Sequence, residues 1–225
     1  SRTGEGIDRV RDAVLAAIDA TTATNRSSGR VRLSVDRAFS VKGSGTVITG
    51  TLVEGELRTG EPLRILSPDR EHTALARKLH VHSDARDTAQ APTRLAINLG
   101  GVTLDEVHRG DVITNDAHVR PTRLIDAHLR TKVHIRRGME ASIFIGTSRS
   151  TAKLQPIAGS ETDTGVMVRL RLTNPIVTFG GDRYVLRGAK VDGPAGAVFG
   201  GGVILDAHTP KGVRASKRLA LLEAL

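Results

Sequence analysis

Two kinds of hydrophobic periodicity divide the chain. Residues 6–20 carry apolar side chains at the spacing of an α-helix. One face of this predicted helix collects five of them: Ile7, Val10, Val14, Leu15 and Ile18. A polar run rich in Thr, Ser, Asn and Arg follows at residues 21–30 and is predicted to be a linker. A second helical pattern occupies residues 215–225, so helices are expected only at the two ends of the chain.

Between these ends the periodicity is two, which is typical of strands with one buried and one exposed face. Val31, Leu33 and Val35 alternate with polar residues, and the turn sequence KGSG at residues 42–45 leads into the next strand. Strands are predicted at residues 31–36, 46–53, 62–66, 73–82, 95–99, 111–114, 125–132, 142–145, 150–156, 165–172, 184–187 and 203–207. A junction at residues 119–121 divides them into two sets. The predicted fold is therefore mainly β, with two consecutive antiparallel β-barrels and short flanking helices.

The domain boundaries follow from these changes of period. We expect a helix at residues 1–22, a linker at 23–30, a first barrel at 31–118, a second barrel at 119–207, and a basic junction that opens a further helix at 208–225. Glycine clusters at residues 100–101, 180–181 and 200–202 punctuate the strands. They are predicted to supply turns, bulges or places where two backbones approach closely.

The charge of the chain indicates which kind of partner it could bind. The formal net charge is +9, and 26 of the 33 basic residues are arginine. Guanidinium groups suit phosphate and carboxylate, so a polyanion such as nucleic acid is a plausible partner; a solubilising surface is the alternative. Aromatic residues make up only 2% of the chain, which disfavours binding by base stacking. Any RNA binding is expected to depend on backbone, shape and charge.

The sequence contains no motif for several common kinds of site. No run of about eighteen apolar residues predicts a membrane span, and the absence of cysteine fits a reducing cytoplasmic setting. Nothing matches a phosphate-binding loop, a nucleophile elbow or a zinc-protease motif. The glycine cluster at residues 43–50 lacks the P-loop lysine and joins strand to strand. The chain by itself is predicted not to be an enzyme.

His80 and His82 are two residues apart within a predicted strand, so their side chains would share one face. Two histidines can begin a metal site, but the sequence supplies no third ligand. The other interpretations are a polar pocket lined by both rings, and ordinary surface or core histidines. No metal site is therefore predicted.

Several motifs together resemble the selenocysteine-specific branch of the Tu-like translational GTPases. The segment VRLSVDRAFSVKGSGTVITG at residues 31–50 is similar to the opening of the second domain of such factors, and residues 98–113 are similar to its closing strands. GDRYVLR at residues 181–187, GGGVILD at 200–206 and HIRRG at 134–138 resemble the third domain of the selenocysteine branch. PKGVRASKR at residues 210–218 resembles the basic junction that follows that domain.

This resemblance implies a tRNA-binding part of an elongation factor that delivers selenocysteyl-tRNA to the ribosome in the cytoplasm. It implies a preceding GTPase domain, which would hold GTP and magnesium; no cofactor is expected in this chain. It also implies a following winged-helix region that binds an mRNA hairpin, and no membrane partner. Two alternatives stay open: a pair of barrels that only connects GTPase and RNA-binding modules, and a piece of another Tu-like factor.

The resemblance also implies a selenocysteine pocket formed by Asp36, Arg37 and Arg94. In the general factor the pair equivalent to Asp36 and Arg37 faces the aminoacyl group, and Arg94 borders the same pocket. A selenolate is anionic at neutral pH, so arginines would favour it over the neutral serine carried by the same tRNA. Arg37 interrupts the odd-numbered apolar face and is expected to be at least half-buried. The alternative is an ordinary ion pair at the barrel rim.

By the same resemblance, His80 and His82 border the terminal adenosine of the tRNA. Lys42 in the first hairpin and Arg136 and Arg137 in a turn of the second barrel are the candidates for contact with the tRNA backbone.

Overall fold

The computed structural model describes residues 3–20, 29–157, 165–188, 196–210 and 212–224. Its helices are α1 (Ile7–Ala20) and α2 (Leu219–Glu223), with 3-10 turns at Leu104–Glu106 and Ala215–Arg218. The strands of the first half are β1 (Arg32–Val41), β2 (Gly45–Glu54), β3 (Glu56–Arg58), β4 (Pro62–Leu66), β5 (Glu71–Val81), β6 (Asp84–Arg86), β7 (Thr88–Gln90), β8 (Thr93–Gly100) and β9 (Val112–Thr114). Those of the second half are β10 (Thr122–Thr131), β11 (Glu140–Ile145), β12 (Ser148–Pro156), β13 (Val166–Ile176), β14 (Arg183–Gly188) and β15 (Val198–Asp206).

The first half forms an antiparallel ring of six strands in the order β4-β9-β1-β2-β8-β5, which the pairing of β5 with β4 closes. β6 extends β5, and β3 pairs with β7 outside the ring. Alternate residues of each strand point inwards, so that Leu33, Ile48, Ile65 and Ile97 are fully buried in one core. The period-two pattern of the sequence arises from this division into inner and outer faces.

The second half is a closed barrel in the order β10-β13-β12-β11-β14-β15. Tyr184 lies in its core and donates a hydrogen bond to the carbonyl oxygen of His128 at 3.0 Å. Residues 200–202 lie within β15 rather than in a turn. A Cβ on Gly202 would overlap the carbonyl oxygen of His128 on β10, so glycine is required where these two backbones meet. The prediction of two consecutive antiparallel barrels is confirmed.

The two barrels contact each other through polar and apolar groups. Arg32 of β1 pairs with Asp182, just before β14, at 2.5 Å, and its guanidinium lies 4.1 Å from the centre of the Phe179 ring. Ser148 donates a hydrogen bond to the carbonyl oxygen of Gly110 at 2.7 Å. Leu66, Val112, Val119 and Val177 form a small buried cluster at this contact.

The two ends of the described chain differ in how they pack. α1 has no buried residue and exposes the apolar face that its periodicity predicted, including Val10 at 64% and Ile18 at 61%. At the other end, Leu222 of α2 is buried against Ile157. No helix within the described ranges is long and apolar enough to cross a membrane. The predicted linker at 23–30 lies outside the described residues, except for its last two positions.

Candidate nucleic-acid interface

A β-bulge at Asp36 shapes the outer face of the first barrel. In the pairing of β1 with β2, Val35 is opposite Gly50 and Arg37 is opposite Thr49, so Asp36 has no partner of its own. The extra residue reverses the phase of β1. Arg37 is therefore exposed, and so are Phe39 at 40% and Val41 at 38%. The expectation that Arg37 lies half-buried on the apolar face was wrong, because an alternating pattern does not reveal a bulge.

The Asp36 side chain is held by neighbours on two other strands. Thr49 Oγ1 donates to Asp36 Oδ1 at 2.8 Å, and Arg94 Nη1 donates to Oδ2. Arg94 also donates to Thr51 Oγ1 at 3.2 Å. Partial burial tends to raise the pKa of the Asp36 carboxyl, but the hydrogen bonds from Arg94 and Thr49 hold it below its ordinary value. The carboxylate is therefore already paired with Arg94 rather than with Arg37.

Arg109 is a functional candidate that the sequence analysis missed. Its Nη1 donates to the main-chain oxygen of Asp36, the residue at the bulge, at 3.2 Å. The Asp36 cluster, defined as Asp36 with Arg37, Arg94 and Arg109, thus has one carboxylate among three guanidinium groups and is cationic. Arg109 and Asp36 are 73 positions apart, so only the fold reveals their contact.

Strand register places one of the two predicted histidines on the same outer face. Arg37 is opposite Thr49, Thr49 is opposite Ala96 of β8, and Ala96 is opposite His80 of β5. Directly opposed residues of adjacent strands share a face, so Arg37 and the half-buried His80 lie about 14 Å apart across three strand spacings.

His82 does not belong to that face by strand geometry. β5 ends at Val81, which pairs with Asp84, and His82 and Ser83 form the intervening turn with φ angles of 52° and 76°. The prediction that both rings project from one strand was wrong, because the chain reverses direction at this point. Among the described residues, no group of three or more His, Asp or Glu is arranged to hold a metal ion.

The three predicted tRNA-backbone residues lie on different barrels. Lys42 is exposed in the turn between β1 and β2, whereas Arg136 and Arg137 are exposed in the segment between β10 and β11. The structure therefore does not bring them into one local cluster.

The outer face of the second barrel carries a further cationic surface that sequence reasoning missed. Phe144 of β11 is opposite Arg149 of β12 and Val185 of β14. The guanidinium groups of Arg149 and Arg187 lie 5.5 Å and 5.7 Å from the centre of the Phe144 ring. We call these three residues the Phe144 surface. The available signal was the presence of exposed basic residues on both strands, but the pairing of β11 with β12 and β14 was needed to bring them together.

Comparison with known proteins agrees with this architecture. Residues 45–114 match the family described as elongation factor Tu domain 2. A selenocysteine-specific elongation factor of Desulfomicrobium baculatum is 32% identical over 216 residues, which are 91% of this chain and 32% of that protein. The corresponding factor of Escherichia coli K12 is 28% identical over 185 residues, covering 82% of this chain and 28% of that protein. The chain thus spans about a third of the length of these relatives.

Solved structures show the same arrangement of barrels. The crystal structure of a bacterial selenocysteine-specific elongation factor, EF-Sec, has a TM-score of 0.79 at 25% identity, over 98% of this chain and 36% of that one. Translation elongation factor SelB of Methanococcus maripaludis, in complex with the GTP analogue GppNHp, has a TM-score of 0.77 at 19% identity, over 92% of this chain and 50% of that one. At the latter identity the likeness concerns the fold alone.

The paired barrels and the match to domain 2 define the class of protein as a translation elongation factor of the Tu type. Within that class, the chain is similar in sequence to selenocysteine-specific elongation factors over 82–91% of its length. The resemblance carried by the sequence motifs is confirmed.

Proposed function

We propose that this chain is the tRNA-binding part of a factor that delivers selenocysteyl-tRNA to the ribosome, with the first barrel forming one wall of the selenocysteine pocket. The observation that carries the proposal is the Asp36 cluster. Arg94 and Arg109 bond to Asp36, while the guanidinium of Arg37 is exposed beside them. An excess of guanidinium groups favours an anionic selenolate over a neutral hydroxyl.

The binding of the tRNA body is supported by the Phe144 surface and by the charge of the chain. Arg149 and Arg187 flank one aromatic ring, and the net charge is +9. Such cations bind phosphates without reading sequence, and they give an affinity that falls with salt. Lys42, Arg136 and Arg137 are proposed as further contacts to the tRNA backbone, and His80 and His82 as neighbours of the terminal adenosine.

The remaining parts of the activity are assigned outside this chain. We propose that GTP and magnesium bind to a GTPase domain, and that this chain takes no part in the hydrolysis itself. The apolar face of α1 would pack within that domain. The ribosome and an mRNA hairpin are the further partners of the whole factor, which would act in the cytoplasm, where translation takes place.

The test compares selenocysteyl-tRNA with seryl-tRNA, using this chain preceded by a GTPase domain of the same family. We expect Arg37→Glu and Arg94→Glu each to remove most of the preference for selenocysteyl-tRNA, because each reverses a charge in the Asp36 cluster. Arg58→Glu is the matched control, since Arg58 is an exposed arginine on β3 of the same barrel. If both cluster variants discriminate as well as the wild type, the pocket assignment fails and the barrels act as a scaffold.

A further inference from the structure

We propose that a cleft between the second barrel and the C-terminal segment is a binding site for a phosphate group, either free or within RNA. This junction cleft is defined by Leu124, Gln155 and Arg171 on the barrel and by Val213 and Arg214 on the segment. Its volume is about 650 Å³, which is within the usual range for small-molecule sites. A single halide ion would fill only a small part of it. It is separate from the Asp36 cluster and from the Phe144 surface, and it shares only Arg137 with the residues proposed to contact the tRNA backbone.

The lining of the junction cleft is strongly cationic. Arg137, Arg169, Arg171 and Arg214 contribute four guanidinium groups, and no Asp or Glu is among the lining residues that the structure describes. Arg169 is buried and already committed: it makes two hydrogen bonds to Asp126, at 2.7 and 2.9 Å, and a third to the carbonyl oxygen of Val213. Arg169 therefore fixes the segment against the barrel and shapes the cleft.

The other three arginines lack a compensating charge. None of Arg137, Arg171 and Arg214 forms an ion pair within the part of the chain that the structure describes. The ladder neighbour of Arg171 on β12 is Lys153, another cation. Asp126 and Asp206, the acids that Arg169 and Arg218 contact, are already paired with those two arginines. Positive potential is therefore concentrated in a concave site.

The chemistry of the lining favours a phosphate group over other ligands. Guanidinium forks match the oxygens of a tetrahedral phosphate, and Gln155 adds an amide donor. The described part of the lining has no aromatic side chain and therefore offers no platform for stacking a base. Recognition would thus be directed at the phosphate itself.

Arg171 and Arg214 lie on opposite walls, so a shared phosphate would join the barrel to the C-terminal segment. Arg214 directly precedes the Ala215–Arg218 turn that leads into α2. Binding should therefore protect this segment as well as occupy the cleft.

The test is calorimetric titration of the 225-residue chain with inorganic phosphate at constant ionic strength. We expect saturable binding, and about tenfold weaker binding in Arg171→Gln and in Arg214→Gln, since each removes a charged donor. Arg130→Gln is the matched control, because Arg130 is an exposed arginine on β10 outside the cleft. All three substitutions are at exposed positions, and unchanged thermal midpoints would show that the variants fold.

A second measurement follows tryptic cleavage after Arg214 and Lys217, which phosphate should slow in the wild type but not in Arg171→Gln. Two results would overturn the proposal. One is a heat of binding for phosphate no larger than that for chloride, and the other is an equal affinity for phosphate in the wild type and in Arg214→Gln. Titration with a short RNA hairpin then distinguishes free phosphate from a phosphate within RNA. If RNA competes with phosphate and loses about tenfold in affinity in Arg214→Gln, the ligand is an RNA phosphodiester. If RNA binding is unchanged while phosphate binding is lost, the ligand is free phosphate.

Discussion

Replacement of Asp126 by asparagine should be the most destabilising single polar substitution in the second barrel. Asp126 is 0% exposed and accepts hydrogen bonds from Arg169 Nε at 2.7 Å, Arg169 Nη2 at 2.9 Å and Arg218 Nη1 at 2.6 Å. Arg218 also bonds to Asp206 at 2.5 Å. One buried carboxylate thus holds two guanidinium groups, which come from β13 and from the turn before α2.

The expected cost follows from what the substitution leaves behind. In Asp126→Asn the two arginines, 6% and 8% exposed, keep their charges; Arg218 retains Asp206, whereas Arg169 loses its carboxylate partner. The new amide also presents N–H groups to guanidinium N–H groups, which cannot bond to each other. Breaking a buried ion pair by removing one partner costs about 3–5 kcal/mol. For a barrel of this size that corresponds to a fall in melting temperature of about 10 °C or more.

Tyrosine fluorescence offers a selective assay of this barrel. The chain has one tyrosine and no tryptophan, and Tyr184 is 2% exposed in the core of the second barrel. Its emission during urea unfolding at pH 7 therefore reports on this barrel alone. The control is Glu140→Gln, which removes an exposed pair with Lys153 at 3.2 Å and should cost about 0–1 kcal/mol. If Asp126→Asn lies within about 1 kcal/mol of Glu140→Gln, the ion network does not hold the segment to the barrel.

Two further predictions concern the first barrel and the contact between β15 and β10 in the second barrel. The pKa of the Asp36 carboxyl is lowered by its hydrogen bonds. The ionised side chain therefore stabilises the folded state above the pKa of the unfolded chain, about 3.9, and this stabilisation is lost as the pH falls through the pKa of the folded state. Asp36→Asn should cost about 1 kcal/mol in urea unfolding at pH 7, and the difference should shrink below about pH 4; a constant difference would contradict the pairing with Arg94. Gly202→Ala should cost about 3 kcal/mol by tyrosine fluorescence, because its Cβ overlaps the His128 carbonyl oxygen, whereas at Gly180 the nearest atom to a new Cβ is 3.4 Å away. Equal stability of these two glycine variants would rule out the close approach of β15 to β10.

Local pattern was sufficient for most elements of this fold. Residues 62–66 were predicted as a strand and are β4, and the helix predicted at residues 6–20 is α1 at Ile7–Ala20. Both depend on nearby residues that divide between an inner and an outer face, or gather on one face of a helix. The motifs at residues 31–50 and 181–187 were likewise local, and they pointed to the same proteins to which the comparisons show similarity.

Features that join distant strands were not predictable in the same way. The bulge at Asp36 is set by the register of β1 against β2, while Phe39 and Val41 continue the apolar alternation as if no residue had been inserted. The turn at His82 depends on the pairing of Val81 with Asp84. Each error therefore came from extending a period across a point where the backbone changes course.

The sequence by itself determined the two barrels, their order and the resemblance to selenocysteine-specific elongation factors, because strand periodicity and short motifs are encoded by neighbouring residues. Only the tertiary structure decided which charges meet. The bonds of Asp36 to Arg94 and Arg109, and of Asp126 to Arg169 and Arg218, link positions 43 to 92 residues apart. Electrostatic pairing depends on distance in space, and barrel closure sets that distance.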